Sequence, residues 1–358
     1  MVLSFVSGPV RVRVPATSAN LGPGFDSLGL ALALHDEVSA EVTAAGCRVT
    51  VTGAGAGELP DDETHLVVRA MRATFDLLGG QPTGLALDCV NRIPQARGLG
   101  SSSAAIVAGV QLARGLTVDG MDRLDDADAL RLAAEIEGHP DNVAPCLLGG
   151  FTIAWTETAP LSSGSDLTGT SAPASRVTNG TAGSIEPQVT AGAGQSGVRP
   201  TAAGARAVVL RPSPDVAPVL FVPEERGLTA VARAALPATV PHRDAARNAG
   251  RAALLVHALT ADPSLLYAAT SDRLHQDYRA AGMPGTASLL TALRAAGVAA
   301  VVSGAGPTVL ALSAVPENFD PGMGWSVRLL PVDVTGAQVD RVRLGHAERD
   351  PVAAGRKS

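Results

Sequence analysis

The pattern of apolar and polar positions predicts alternating strands and helices in the first part of the chain. Residues 10–14 alternate as VRVRV, which is typical of a strand with one buried face. Pro15 ends this pattern, and residues 16–26 (ATSANLGPGFD) are expected to form an irregular polar loop. Residues 65–78 have helical spacing, and the Gly79-Gly80 pair supplies a stop signal. Further stretches with strand character are residues 28–34, 37–42, 48–51 and 85–90.

The same periodicities continue through the rest of the chain. Helices are predicted at residues 103–116, 125–137, 229–235, 243–259 and 288–296. Strands are predicted at residues 207–210, 219–222, 298–302 and 308–312, the last two flanking a tight turn at residues 303–307. This mixture predicts an α+β protein of two domains, residues 1–157 and 206–345, with a flexible tail at residues 346–358.

Residues 158–205 differ from the rest of the chain. Ser, Thr, Gly, Ala and Pro dominate, no aromatic residue occurs, and hydrophobic periodicity is absent. Such a composition buries too little apolar surface to offset the entropy of ordering. We therefore predict a low-complexity, disordered insertion between the two domains.

Composition and charge narrow the class of protein. The chain has 358 residues, of which 46% are hydrophobic, enough for a sizeable core, and no apolar run approaches the roughly 18–20 residues that span a bilayer. No signal peptide is apparent, and three widely spaced cysteines suggest neither a disulfide framework nor a metal site. A cytoplasmic protein is expected, and the net charge of −6 argues against a nucleic-acid surface.

The chain contains a single lysine, Lys357, next to the last residue. Mechanisms that need an internal catalytic lysine are therefore excluded. These include Walker-A nucleotide hydrolases, Schiff-base enzymes and protein-kinase folds.

Four segments carry candidate chemistry. Residues 94–105 (PQARGLGSSSAA) combine glycines, serine hydroxyls and a following helix, which is typical of a phosphate-binding loop, although a capped helix after a Gly turn is the alternative. Residues 135–150 (EIEGHPDNVAPCLLGG) bring acids, a His and an Asn to the end of a helix, where plain capping is the alternative. The irregular loop at residues 16–26 is a candidate for binding residues, with a plain surface turn as the alternative. The SGAGP turn at residues 303–307 is a further candidate, with a simple β-turn as the alternative.

Taken in order, these four segments resemble the GHMP superfamily of small-molecule kinases. Residues 16–26 and the HPDNVAP segment, residues 139–145, point within it to the homoserine kinase family. The resemblance implies an N-terminal domain like the second domain of ribosomal protein S5, with a left-handed βαβ crossover, and a ferredoxin-like C-terminal domain. It also implies transfer of phosphate from ATP to L-homoserine in threonine biosynthesis. Members are commonly dimeric, and the sequence neither supports nor contradicts a homodimer here.

The resemblance also implies roles for individual residues. ATP contacts fall on Pro94, Arg97, Gly98, Leu99, Gly100, Ser101, Ser102, Ser103 and Ala104. Mg²⁺ is expected on Ser102 and Glu135, with Glu137 as the alternative carboxylate. Substrate contacts fall on Asn20, Asp26, His139, Asn142, Thr229, Arg233, Arg279, Gly304 and Gly306, where Arg273 is the alternative to Arg279. The groups expected in catalysis are Glu135, Asp141 and Asn20.

The resemblance has limits at specific positions. Relatives often carry Asn where this chain has His65, so the contact to the adenine base is left open. Asp141 is the only well-placed candidate for a general base, yet the family is thought to work without a strong one, and we predict that Asp141→Asn loses less activity than Glu135→Ala. The alternative functions are a kinase for another small alcohol, of mevalonate or diphosphocytidyl-methylerythritol type, and a non-catalytic nucleotide-binding protein.

Overall fold

Strands and helices alternate through the part of the chain that this computed structural model describes, residues 3–157 and 204–341. The strands are β1 (Val10–Ala19), β2 (Leu28–Thr43), β3 (Gly46–Gly53), β4 (Gly84–Asn91), β5 (Phe151–Glu157), β6 (Gly204–Leu210), β7 (Val219–Pro223), β8 (Ala300–Val302), β9 (Val309–Ala311), β10 (Trp325–Leu329) and β11 (Gln338–Arg341). The helices are α1 (Leu66–Leu78), α2 (Ser101–Leu116), α3 (Gly120–Arg123), α4 (Asp126–Glu137), α5 (Pro140–Leu148), α6 (Thr229–Ala234), α7 (His242–Thr260), α8 (Leu266–Ala269), α9 (Gln276–Arg279) and α10 (Pro284–Ala295). Short 3₁₀ turns occupy Pro263–Leu265 and Ala280–Gly282. The predicted insertion lies outside the described residues except for its last two, and the predicted tail lies wholly outside them.

The first sheet has seven strands and combines both ends of the chain. Its order is β11-β1-β2-β4-β3, and β5 pairs with both β2 and β6. The pair β3 and β4 is parallel, with α1 as the connecting helix, so these three elements form the βαβ unit. Since β6 and β11 join this sheet, it contains strands from both predicted domains. The domain bounds themselves stay a prediction.

Helix α2 lies at the centre of this half of the protein. It packs against α1, α4, α5 and β1, and most of its residues are buried. Most of its residues are apolar or small, which suits burial on several sides, and the buried polar side chains Gln111 and Arg114 bond each other. Helix α1 instead buries one face, which includes Val67, Met71 and Phe75 at spacings of four residues. The Gly/Ser loop is attached to α2, a helix buried in the core.

The second sheet has four strands in the order β10-β7-β9-β8, and all neighbours are antiparallel. Strands β7 and β8 therefore run in the same direction with β9 between them, which is the split βαβ arrangement of ferredoxin-like domains. Helices α7 and α10 lie between β7 and β8 in the chain. The described segment between β9 and β10, residues 312–324, contains no helix.

The structure corrects some local predictions. Residues 16–19 continue β1 instead of forming a loop, because a register shift between Pro15 and Ala16 lets them pair with β2 as buried residues. Residues 28–43 form one long strand. Helix α5 was not predicted, since Pro145 lies inside it. The other predicted helices and strands occur, with ends moved by a few residues.

The cysteines are free, with Cys89 and Cys146 buried and Cys47 partly exposed. Burial raises the pKa of Cys89 to about 12 and that of Cys146 well above its usual value. In the described residues, no helix combines the length and apolar character that crossing a membrane requires.

Candidate active site

A cavity of about 280 Å³ collects residues from all four candidate segments. The predicted residues that line it are Asn20, Asp26, Arg97, Gly98, Gly100, Ser101, Ser102, His139, Asp141, Asn142, Thr229, Arg233, Arg279 and Gly304. The predicted residues that do not line it are Pro94, Leu99, Ser103, Ala104, Glu135 and Gly306. Segments that are far apart in the sequence therefore meet at one cavity.

The Gly/Ser loop is tightly enclosed by its neighbours. Gly98 has φ +72°, and an added Cβ would lie 2.3 Å from the backbone oxygen of Ser303. Gly100 has φ +68°, and an added Cβ would lie 2.0 Å from Thr17 Oγ1. No side chain larger than hydrogen fits at either position, so both glycines are required by close approach as well as by conformation.

The loop delivers the N-terminus of α2 to the cavity. The helix begins at Ser101, and no side chain caps its first turn. Its first backbone N–H groups therefore lack helical partners and point, with the positive end of the helix dipole, toward the lining. The side chain of Leu99 is buried in the core, 1% exposed, so this residue serves the loop through its backbone. This arrangement suits an anion such as phosphate.

The carboxylate beside the loop belongs to Glu137, which corrects the preference for Glu135. Glu137 accepts hydrogen bonds from Ser102 Oγ at 2.5 Å and from Ser103 Oγ at 2.9 Å. Glu135 is exposed and does not line the cavity. Residues two apart on a helix point about 200° apart, so only one of the two can face the loop. The alternative that the sequence left open, Glu137, is the one that faces it.

A sharp connection between α4 and α5 places the next polar groups. Gly138, with φ +92°, ends α4, and Pro140 begins α5, a position that proline favours. His139 lies between them, and its Nδ1 is 2.6 Å from Oδ1 of the buried Asp141. This hydrogen bond outweighs burial and raises the pKa of His139. Asp141 is therefore already engaged in a hydrogen bond with His139.

Asn142 completes this side of the cavity. Its Oδ1 accepts a hydrogen bond from Thr17 Oγ1 at 2.8 Å. Its Nδ2 is left without a partner among the described residues, so it is available to a bound molecule.

The loop after β1 holds three non-glycine residues with positive φ, namely Asn20, Leu21 and Asp26. Asn20 has φ +68° and Asp26 has φ +55°, a region that side chains other than glycine rarely adopt. Asn20 Nδ2 donates to the backbone oxygen of Gly304 at 2.8 Å, and its Oδ1 accepts from the Asp26 N–H at 3.0 Å. Both ends of the Asn20 amide thus bind backbone. Asn20 fixes the turn that presents the Asp26 carboxylate to the cavity.

Opposite charges face each other across the open side of the cavity. The Arg233 guanidinium donates to both Asp26 oxygens, at 3.0 and 3.2 Å, in bidentate geometry. Arg233 lies on α6, a short helix with no buried residue that also carries Thr229. Arg279 lies nearby on α9 and is 3% exposed, whereas the alternative Arg273 is exposed and pairs with Asp277.

Arg97 joins the Gly/Ser loop to the second sheet. Its guanidinium donates to the backbone oxygens of Pro223, at 2.9 Å, and Glu224. The adjacent Ala96 backbone oxygen accepts from the Gly227 N–H at 2.8 Å. The charged group of Arg97 is thus used to hold the loop in place.

A second cavity of about 200 Å³ adjoins the first and shares Gln95, Ser101 and Ser102 with it. His65 lines this cavity and is 4% exposed. Its Nδ1 accepts from the Val67 N–H at 3.3 Å and caps α1, while Nε2 is buried without a partner. The ring therefore carries its proton on Nε2, and burial lowers its pKa. His65 is therefore a neutral donor on the lining of a cavity beside the phosphate loop, and polar residues such as Asp36 and Asn91 also line that cavity.

Some residues of the site were not predicted from sequence. Gln95, Ala96, Gly227, Leu228 and Ala305 also line the main cavity. Gln95 and Ala96 lie within the loop segment quoted above, so the motif could have named them. Nothing in the local pattern around Gly227 distinguishes it from an ordinary turn.

Comparisons with known proteins identify the family of this chain. Residues 65–150 match the family of GHMP kinases N terminal domains, and residues 243–319 match the GHMP kinases C terminal family. A homoserine kinase of Streptomyces coelicolor is 50% identical over 341 residues, which cover 94% of this chain and 96% of the relative. A homoserine kinase of Mycobacterium tuberculosis is 43% identical over 326 residues, 89% of this chain and 90% of the relative.

A solved structure gives the same result for the fold. The crystal structure of homoserine kinase from Cytophaga hutchinsonii superimposes with a TM-score of 0.69 at 25% identity, covering 95% of this chain and 100% of that one. The expected two-domain GHMP kinase fold is confirmed. The chain belongs to the homoserine kinase family of the GHMP kinases.

Proposed function

We propose that this protein transfers the γ-phosphoryl group of ATP to the side-chain hydroxyl of L-homoserine and releases ADP and O-phospho-L-homoserine for threonine biosynthesis. One observation carries the proposal beyond family membership. A carboxylate and two guanidinium groups, from Asp26, Arg233 and Arg279, face the same cavity as the Gly/Ser loop. A zwitterionic amino acid placed beside a phosphate site needs this set of charges.

The phosphates of ATP are assigned to the Gly/Ser loop and the first turn of α2. The N–H groups of that turn and the hydroxyls of Ser101 and Ser102 are donors for phosphate oxygens. The glycines at positions 98 and 100 carry no side chain, which lets the loop lie closely against Ser303 and Thr17. The lining needs no lysine for this role.

Mg²⁺ is assigned to Ser102 and Glu137. A hydroxyl and a carboxylate are hard oxygen ligands, and Mg²⁺ in kinases takes few protein ligands because phosphates and waters complete its shell. The described residues contain no group of three or more acidic, His or Cys side chains that could hold a metal alone. The donor set therefore fits a metal that arrives with ATP. Bound there, the ion would neutralise charge on the phosphate oxygens.

The base of ATP is assigned to the smaller cavity beside the loop. That cavity is lined by Ser101 and Ser102 of the loop and by His65, whose buried Nε2–H has no partner among the described residues. Purine ring nitrogens are hydrogen-bond acceptors. His65 thus supplies a base contact at the position where relatives often carry Asn.

Homoserine is assigned to the other end of the main cavity. Its ammonium binds Asp26, and its carboxylate binds Arg233 and Arg279. Because Asp26 and Arg233 bind each other in this structure, the zwitterion exchanges that ion pair for two new ones. The substrate hydroxyl then faces the loop past Asn142 Nδ2 and the His139–Asp141 pair.

Positioning accounts for most of the proposed catalysis. The hydroxyl oxygen attacks the γ-phosphorus while the bond to the β,γ-bridging oxygen breaks, and ADP leaves with that electron pair. The hydroxyl proton passes to a phosphoryl oxygen and then to solvent. A loose transition state of this kind gains more from alignment and charge stabilisation than from a strong base. Asp141 binds the His139 ring and acts on the substrate by orienting that ring.

An assay of ADP release tests the proposal. Purified protein with Mg²⁺ and ATP is offered L-homoserine, L-serine, mevalonate and galactose, with phosphorylated product identified by mass spectrometry. We expect kcat/KM for homoserine to exceed the others by at least about a hundredfold, since unpaired charges are heavily penalised. Preference for mevalonate would favour the small-alcohol alternative, and ATP binding with no turnover would favour a non-catalytic protein. The cytoplasmic location and the homodimer stay predictions.

A further inference from the structure

Arg279 is a buried cation without a carboxylate partner in the described part of the chain. It is 3% exposed, and its guanidinium donates to the backbone oxygens of Ala232, at 3.0 Å, and Gly304, at 3.4 Å. Burial, followed by the nearby charge of Arg233, lowers its pKa. A buried charge without a counter-ion is costly, so the site favours an incoming anion. Two neighbouring aromatic rings contact this guanidinium.

The first contact is the ring of Phe25. The Arg279 Cζ lies 5.5 Å from the ring centroid, and the Arg233 Cζ lies 5.9 Å from it. Both distances are within the range of cation–π attraction. One aromatic ring thus attracts both guanidinium groups and offsets part of the repulsion between them.

The second contact is the buried ring of His275, which is 0% exposed. Its Nε2 is 2.9 Å from the Gly22 backbone oxygen, and its Nδ1 is 3.1 Å from Arg279 Nη1. A carbonyl oxygen only accepts, so Nε2 carries the proton and Nδ1 is the acceptor for the guanidinium. The ring also lies on Phe25, with centroids 5.2 Å apart.

A neutral His275 is required for this arrangement. Burial lowers the pKa of His275, the Asp272 charge opposes that shift, and the Arg279 charge adds to it. Asp272 Oδ2 lies 3.8 Å from Nε2, but this carboxylate already accepts the backbone N–H groups of Leu274, His275 and Gln276. Asp26 is the remaining charge that acts on the ring.

We infer that Phe25 and His275 are positioning residues for the carboxylate end of the substrate. Phe25 attracts both guanidinium groups, and His275 fixes the direction of one of them. Neither residue touches the reacting atoms. The inference rests on the proposed function, because it takes the anion to be the carboxylate of homoserine.

The test compares two substrates that differ only in that carboxylate. Phe25→Leu and Phe25→Tyr are assayed with L-homoserine and with 3-aminopropan-1-ol, which keeps the amine and the hydroxyl. We expect Phe25→Leu to lower kcat/KM for homoserine about tenfold, through KM, because two cation–π contacts together amount to about 1.4 kcal/mol. With 3-aminopropan-1-ol the same variant should stay within about twofold of the parent. Phe25→Tyr keeps the ring, so its KM for homoserine should stay close to that of the parent protein.

His275→Gln provides the second variant. It should raise KM for homoserine about tenfold, because it removes the ring that accepts from Arg279 and lies on Phe25, while KM for ATP stays within about twofold. Phe319→Leu is the matched control, because it removes one ring of the Phe221–Phe319 pair outside the cavity. It should lower thermal stability without changing either KM.

The outcomes separate the inference from the proposed function. If the parent protein phosphorylates no homoserine, the proposed function fails before any variant is made. If the parent is active but Phe25→Leu reduces both substrates equally, the ring is merely structural and the inference is overturned. An unchanged KM for homoserine in both variants would overturn it as well.

Discussion

Ser102 Oγ donates a hydrogen bond of 2.5 Å to Glu137 Oε2, and this contact joins the first turn of α2 to the last turn of α4. The two residues are 35 positions apart in the chain. Together they form a pair of hard oxygen donors at the edge of the phosphate loop. The contact also decides which of two nearby glutamates is used.

Glu137→Gln should lower kcat/KM for homoserine by about a hundredfold or more, as is typical when one charge-stabilising group is lost. Glu135→Gln is the matched control on the same helix, and it should stay within about twofold because its side chain is exposed. Steady-state kinetics at saturating Mg²⁺ provide the comparison. A larger loss for Glu135→Gln would contradict the assignment.

Asp141→Asn should cost less activity than Glu137→Gln, about tenfold in kcat, because Asp141 orients His139 in this mechanism. A general base would contribute about 10²–10⁴-fold. Glu137 takes the place of Glu135 in this comparison, because Glu135 does not line the cavity. A loss as large as that of Glu137→Gln would assign Asp141 as the base.

The pKa of His139 should lie above 6.5, because its hydrogen bond to the Asp141 carboxylate favours the protonated ring. The raised value means that this pair stabilises the folded protein fully below pH 6.5 and that the contribution is lost as pH rises through the folded pKa. Titration of the His139 ring by NMR measures it, with His139→Gln to identify the resonance. Asp141→Asn should lower the value, and a pKa that does not respond would speak against the contact.

His65→Ser should raise KM for ATP about tenfold and leave KM for homoserine within about twofold. Serine keeps an acceptor that can cap α1 but removes the ring that lines the smaller cavity, together with its unpartnered Nε2–H. Kinetics with each substrate varied in turn make the measurement, and a melting curve checks the helix cap. A rise in KM for homoserine alone would place the base elsewhere.

Several features of the fold and the site could be predicted from local sequence. The spacing of apolar residues located α1, α2, α4 and α7 to within a few residues. The glycines at positions 98 and 100, followed by serines, predicted a phosphate loop at the start of a helix. Residues 16–19 were misjudged because the loop composition hid a strand that pairs only after the register shift at Pro15.

The sequence by itself determined the order of elements, the family and the segments that form the site, because periodicity and motif spacing are local properties. Only the tertiary structure decided that Glu137 faces the loop, that His65 leaves a donor free, and that Phe25 lies against two arginines. Each depends on a side-chain direction or on a contact between segments distant in the chain. The Phe25 contacts, for example, join residues more than 200 positions apart in the chain. The Asp26–Arg233 pair likewise joins residues 207 positions apart. Local sequence does not indicate such contacts, because they depend on how the two sheets and their helices pack.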